Sequence, residues 1–212
     1  MKVLLADNQD ITRAGLMYIC DGIAGIEYVQ VEDKAALIEQ LKNDPEGAVI
    51  LDYTLFDIND AAELLILCQR FPRVQWLLFS EDLSPDFVRL LLASSPCFSV
   101  LLKESPLSEI REAVAFTVRH HRFICQRMAE LLLTPETMSD ETVKLTRAET
   151  EILKDIALGM TTKEIAEKRF SSFHTVNTHR KNIFRKLGVN NLHEATKYAF
   201  RAGLVDSADY CI

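Results

Sequence analysis

Asp7, Asn8, Asp52, Ser80 and Lys103 each follow directly on a short apolar run, at 3–6, 48–51, 74–79 and 99–102. If those runs are parallel strands of one doubly wound sheet, their carboxyl ends open on a single crevice and these groups converge there. Two carboxylates with neighbouring oxygens suit Mg²⁺, which takes few carboxylates and completes its shell with water and phosphate oxygens. An aspartate beside such a metal can attack a phosphoryl group and form an acyl phosphate. A hydroxyl and an ammonium from neighbouring strands would then hold the new oxygens. Alone, each residue says little, because an Asp after a strand commonly caps a helix and a Lys there commonly meets solvent. The order of all five carries the reading.

The elements that must position them alternate. Strands are expected at 3–6, 26–31, 48–51, 74–79 and 99–102, with helices at 11–23, 35–41, 61–71, 86–93 and 107–120. Near-continuous apolar strands separated by helices imply a parallel sheet covered on both faces. A further helix is expected over 122–133, with Ile124, Met128, Leu131 and Leu132 as its apolar side. Residues 134–141 are polar and turn-rich, which places a linker there.

The last third has a different pattern. Thr146-Arg147-Ala148-Glu149 matches the Ser/Thr-x-x-Glu capping box, and Ile152, Leu153 and Ile156 give the helix it opens an apolar face. Gly159 closes that helix, and Thr161 or Thr162 caps a short one bearing Ile165 and Ala166. Ser172 caps the next. There Val176, Ile183, Phe184 and Leu187 fall to one side, and Asn177, Thr178, Arg180, Lys181 and Arg185 fall largely elsewhere. A short helix, a turn and a basic helix with one buried side form a unit suited to the major groove. A last helix over 192–204 ends at Gly203; its Leu192, Ala195 and Ala199 could pack internally or form a two-fold interface.

Bulk properties agree with two domains in 212 residues, 48% of them hydrophobic. The net charge of −7 is uneven: residues 1–145 hold 13 basic and 23 acidic side chains, residues 146–212 hold 11 and 8. The basic excess therefore lies where a duplex would sit. No apolar run is long enough to span a bilayer, and Asp7 comes too early for a signal peptide, so the expected location is the cytoplasm. The five cysteines are odd in number and form no Cys-x-x-Cys pair, which reads as buried reduced thiols.

Two resemblances follow. Residues 1–122 resemble the receiver domain of response regulators, and the string Thr175-Val176-Asn177-Thr178-His179-Arg180 within 144–206 resembles the LuxR-type helix-turn-helix. Together, with a partly helical linker at 123–143, they resemble a NarL/FixJ-type response regulator. The implied fold is an α/β doubly wound five-stranded parallel sheet, flavodoxin-like, followed by an all-α helix-turn-helix domain. The implied roles are Asp52 as phosphoacceptor, Asp7 as an acidic metal-site residue and the Thr54 carbonyl as a metal ligand. Ser80 would be the switch hydroxyl and Lys103 the phosphoryl-contacting ammonium. On the DNA side, Asn177, Thr178 and Lys181 would face base edges, Arg180, Arg185 and Lys163 would meet phosphates, and Thr175 belongs to the same surface. His179 is expected in packing or on a phosphate, because no partner ligands lie at zinc spacing. The implied partners are double-stranded DNA, a sensor histidine kinase and a second copy of the chain in a homodimer, with no membrane and no enzymatic turnover.

The sequence departs from the family pattern at four places. Asn8 replaces a second aspartate, so Mg²⁺ should be weakly bound. Glu81 follows the switch serine where a small residue is usual, and could repel a phosphodonor. Val100 replaces an aromatic residue that swings in behind the switch hydroxyl. Asn177 stands where the family often has Lys, so the preferred DNA sequence would differ. Asn8, Glu81 and Val100 support a second reading, a pseudo-receiver transcription factor that binds DNA independently of phosphorylation. A third, a small phosphatase using Asp52, leaves the helix-turn-helix without a role.

Overall fold

A computed structural model of the chain describes residues 1–134, 145–189 and 191–205. The chain divides into two compact units.

The first unit is a five-stranded sheet: β1 (Lys2–Ala6), β2 (Glu27–Gln30), β3 (Ala48–Leu51), β4 (Gln75–Ser80) and β5 (Phe98–Leu102). Every pairing is parallel and the order is β2-β1-β3-β4-β5. Between the strands run α1 (Asp10–Asp21), α2 (Lys34–Asn43), α3 (Ala61–Arg70) and α4 (Pro85–Ser94), and α5 (Leu107–Thr117) follows β5. β3 and β5 are buried at every residue, as strands covered on both faces must be. Gly47 lets the chain enter β3 past β1, since a Cβ there would stand 2.8 Å from the Lys2 carbonyl oxygen. Leu5, Ile50 and Leu77, side by side on β1, β3 and β4, are nearly or fully excluded from solvent and centre the core. The order reverses direction beside β1 and β3, so the crevice at their carboxyl ends is where the fold gathers ligands.

The helix expected over 122–133 begins later, as α6 (Gln126–Leu133). Residues 123–125 instead run alongside β5: the Val100 amide donates to the Phe123 carbonyl at 2.8 Å, and the Cys125 amide donates to the Val100 carbonyl at 2.9 Å. β5 is the edge of the sheet, and this short bridge satisfies polar groups that would otherwise lie open. Met128 and Cys125 are fully buried, which fastens α6 against α4 and β5. The first part of the expected linker is thus packed onto the first unit; residues 135–143 lie outside the described residues. α5 is shorter than expected, ending at Thr117, with His120 in the left-handed region at φ 61°.

The second unit holds α7 (Arg147–Ala157), α8 (Thr162–Lys168), α9 (Phe173–Leu187) and α10 (Leu192–Arg201). Capping boxes open α7 at Thr146 and Glu149, and α8 at Thr161 and Glu164. Thr161 rather than Thr162 is therefore the cap. The Ser172 hydroxyl accepts from the Thr175 amide at 3.1 Å to start α9, and Gly188 ends it in the left-handed conformation at φ 64°. Ile152, Leu153, Ile156, Ile165, Val176, Ile183 and Phe184 form the core, with Ala195 and Ala199 of α10 inside it. The two alanines thus pack internally, while Leu192 is 41% exposed.

Candidate phosphoacceptor pocket and DNA-reading helix

The carboxyl ends of β1, β3 and β5 bring three of the expected side chains together. The Lys103 ammonium stands 2.6 Å from Asp52 Oδ2 and 2.8 Å from Asp7 Oδ2, and both aspartates are 1% exposed. Asp52 Oδ1 accepts from the amides of Thr54 at 2.9 Å and Leu55 at 3.3 Å. Asp7 Oδ1 accepts from the Gln9 amide at 2.7 Å. Burial raises the Asp7 pKa above the ordinary carboxylate value, and the contacts with Lys103 and the Gln9 amide only partly offset it. For Lys103 burial acts downward, but its bonds to Asp52 and Asp7 prevail and its pKa is raised. Two buried carboxylates therefore share one ammonium, leaving the cluster one negative charge in excess.

Ser80 is fully buried at the end of β4, and its hydroxyl has no hydrogen-bond partner among the described residues. Its carbonyl accepts from the Lys103 amide at 3.0 Å, so the hydroxyl-bearing and ammonium-bearing residues sit side by side on adjacent strands. An unsatisfied buried hydroxyl is costly unless it serves a ligand. The Asn8 side chain reaches across the crevice, its Nδ2 donating to the Leu55 carbonyl at 3.1 Å. Gln9, which the sequence reading passed over, accepts from the Lys103 ammonium at 2.8 Å and from the Thr12 hydroxyl at 3.0 Å through its Oε1. Its Nε2 lies 3.5 Å from a Glu81 carboxylate oxygen at the exposed rim. Its place next to Asp7 and Asn8 was the available signal. Val100 is fully buried, and its backbone is occupied by the 123–125 bridge.

The crevice chemistry fits a magnesium ion. Asp7, Asp52, the Thr54 carbonyl and the Asn8 amide oxygen could hold it, and the excess negative charge invites a dication. The described residues contain no group of three His, Cys, Asp or Glu side chains spaced for a metal, so water and ligand oxygens would fill most of its shell.

In the second unit, Lys163 lies on α8, and Thr175, Asn177, Thr178, Arg180, Lys181 and Arg185 all lie on α9. The Thr178 hydroxyl donates to the His174 carbonyl at 2.9 Å, and the Thr175 hydroxyl meets that of Ser172 at 2.8 Å. Along a helix, Asn177, Lys181 and Arg185 follow each other at four-residue steps; Asn177, Arg180 and Lys181 are buried rather than facing outward as expected. Other basic residues serve the fold. Lys168 and Arg169 clamp the buried Asp155 at 2.7 and 2.6 Å, and Lys186 pairs with Glu149 at 2.7 Å. Sequence patterning did not expose Asp155, because its two partners lie a full helix away.

The sequence model of the family described as bacterial regulatory proteins, luxR family, matches residues 143–199. The transcriptional regulatory protein LiaR of Bacillus subtilis (strain 168) is 26% identical over 211 residues, covering 97% of this chain and 100% of that protein. The transcriptional activator protein ExaE of Pseudomonas putida is 28% identical, covering 97% and 98%. A solved structure of two RcsB dimers bound to two parallel DNAs is 25% identical, covers 94% of this chain and 98% of that one, and superimposes with a TM-score of 0.55. Over nearly its whole length the chain is similar to transcriptional response regulators, and residues 143–199 carry the luxR-family match. The chain joins a sheet of 2-1-3-4-5 strand order to a LuxR-type helix-turn-helix region. The match at 143–199 is to a family of bacterial regulatory proteins, and the relatives are transcriptional regulators. None of its described helices is long and apolar enough to cross a membrane.

Proposed function

We propose that a sensor histidine kinase in the cytoplasm transfers a phosphoryl group to Asp52 and that this modification controls dimerisation and DNA binding. The observation that carries the reading is the Lys103 ammonium held at 2.6 Å on Asp52 and 2.8 Å on Asp7. A carboxylate oxygen of Asp52 attacks phosphorus, the bond to the donor nitrogen breaks, and the electron pair leaves with the donor. The ammonium already on Oδ2 is then in reach of the phosphoryl oxygens, and the Ser80 hydroxyl, without a partner among the described residues, can donate to one of them. Bound Mg²⁺, held weakly because Asn8 supplies an amide in place of a charge, would neutralise oxygens on the group. The added charge of about −1.5 to −2 biases a two-state receiver.

On DNA, α9 enters the major groove. Asn177 reads adenine with both its amide groups, the Thr178 methyl meets a thymine methyl, and Lys181 reaches a base edge. Lys163, Arg180 and Arg185, with Thr175 at the helix start, hold phosphates. The receiver spans 1–122 with 123–134 added at its edge, and the DNA-binding domain spans 144–206. Two chains on one duplex would read paired half-sites.

Intact mass after incubation with Mg²⁺ and acetyl phosphate, beside Asp52→Asn, tests phosphorylation. One phosphoryl adduct in the parent and none in the variant is expected. The second reading, DNA binding independent of phosphorylation, draws on the Asn8 bond to Leu55 and on Val100 in place of an aromatic residue. No adduct at high Mg²⁺, with DNA still bound, would select it.

A further inference from the structure

Cys68 lies in the last turn of α3 and Cys97 one residue before β5, and their sulfur atoms stand 2.6 Å apart. Unbonded sulfurs do not normally rest so close, and a shift of roughly half an ångström would bring them to bonding distance. Each residue is 5% exposed. Yet both line a cleft of about 530 Å³ with Leu65, Pro72, Ser95 and Pro96, which gives a small oxidant a route to the sulfurs. The Ser95 hydroxyl donates to Cys97 Sγ at 3.0 Å and lies 3.4 Å from Cys68 Sγ. Two thiols, a polar neighbour and an opening are thus assembled away from the phosphoacceptor pocket, at the amino end of β5 rather than its carboxyl end.

We propose that Cys68 and Cys97 are a redox-active dithiol, a modification site that hydrogen peroxide converts to an intrachain disulfide. Cys68 is the attacking sulfur. The hydrogen bond from the Cys97 thiol, aided by Ser95 and opposed by burial, holds the Cys68 thiol below its usual range. The same bond, together with burial, pushes Cys97 upward, so it keeps its proton. The Cys68 thiolate attacks peroxide: a sulfur–oxygen bond forms, the oxygen–oxygen bond breaks, and the departing hydroxide becomes water. Cys97 then attacks the Cys68 sulfenic acid: the sulfur–sulfur bond forms, the sulfur–oxygen bond breaks, and the hydroxide leaves with the Cys97 proton as a second water. The two thiols lose two electrons and one peroxide gains them. Cys20 serves as an internal contrast, because burial pushes its thiol up to about 11 and it stays inert.

The test treats the full chain with hydrogen peroxide, removes the excess with catalase, and alkylates it with N-ethylmaleimide in denaturant. The expected result is two fewer alkylated cysteines than in the reduced protein. A tryptic species should join residues 43–70 to 90–103, each of which carries one cysteine, and dithiothreitol should release it. Cys68→Ser and Cys97→Ser should each abolish the species, while Cys20→Ser retains it. Cys68 and Cys97 both still alkylated after peroxide would overturn the proposal. So would Cys68 driven to sulfinic acid beside a free Cys97, or cross-links joining other cysteines. If a variant fails to fold, the peptide map of the parent chain decides alone.

Discussion

Lys103, just after β5, places its ammonium 2.6 Å from Oδ2 of Asp52, the residue that follows β3. The other carboxylate oxygen of Asp52 is held by the Thr54 and Leu55 amides, so the charge on the side chain is oriented from both sides. Backbone amides fix the carboxylate without competing for phosphoryl oxygens, while the ammonium can follow them. This division would suit the proposed transfer of a phosphoryl group to Asp52.

Lys103→Met should destabilise the first unit near neutral pH by about 3 kcal/mol, because it leaves two buried carboxylates without a cation. The Asp7 pKa is already raised by burial and should rise further. A raised carboxyl pKa destabilises above the folded-state pKa, and that cost fades as pH falls through it. The deficit relative to the parent should therefore shrink on acidification, and shrink also with added Mg²⁺. Urea denaturation at several pH values checks this.

Asn8→Asp should tighten Mg²⁺ about tenfold, since it restores a charge beside Asp7 and Asp52. Calorimetric titration of both proteins measures it; equal affinities would mean that residue 8 does not meet the ion.

Glu81 is exposed at the crevice rim, within 3.5 Å of Gln9. Removing its charge as Glu81→Ala should speed phosphorylation by the dianionic donor acetyl phosphate about threefold, the size of a screened surface repulsion. The acceleration should diminish at high salt.

Glu149 shows how much of the site was legible and how much was not. Its capping box with Thr146 is a local pattern, readable from four consecutive residues, and it forms as expected. Its bond to Lys186 and the Asp155 clamp by Lys168 and Arg169 cross between helices, and no spacing rule announces them. The same division holds in the first unit. Strand ends located Asp7, Asp52, Ser80 and Lys103, because apolar runs and a doubly wound topology determine where they point. The turn of Gln9 onto Lys103 and the strand-like 123–125 bridge depend on tertiary neighbours, and the apolar spacing of 122–133 suggested a helix throughout.

Glu149→Gln should cost the second unit about 1–2 kcal/mol at neutral pH. Burial alone would raise its pKa, but Lys186 and the Thr146 cap outweigh burial and hold it below the usual range. A lowered folded-state pKa gives stability above the unfolded value and loses it as pH falls through the folded one. The difference between parent and variant should accordingly vanish in acid, read by thermal melts of helix signal across pH.

Coupling between Asp52 and DNA binding is the central expectation. Duplexes selected by the parent protein from a random pool would be titrated by fluorescence anisotropy, at one fixed salt concentration, with and without beryllofluoride and Mg²⁺, beside Asp52→Asn. The account predicts tighter binding by about tenfold or more for the parent with the phosphoryl mimic, and no change for the variant. Identical affinities in all four conditions would contradict it and leave a DNA-binding protein whose receiver is not a phosphorylation switch.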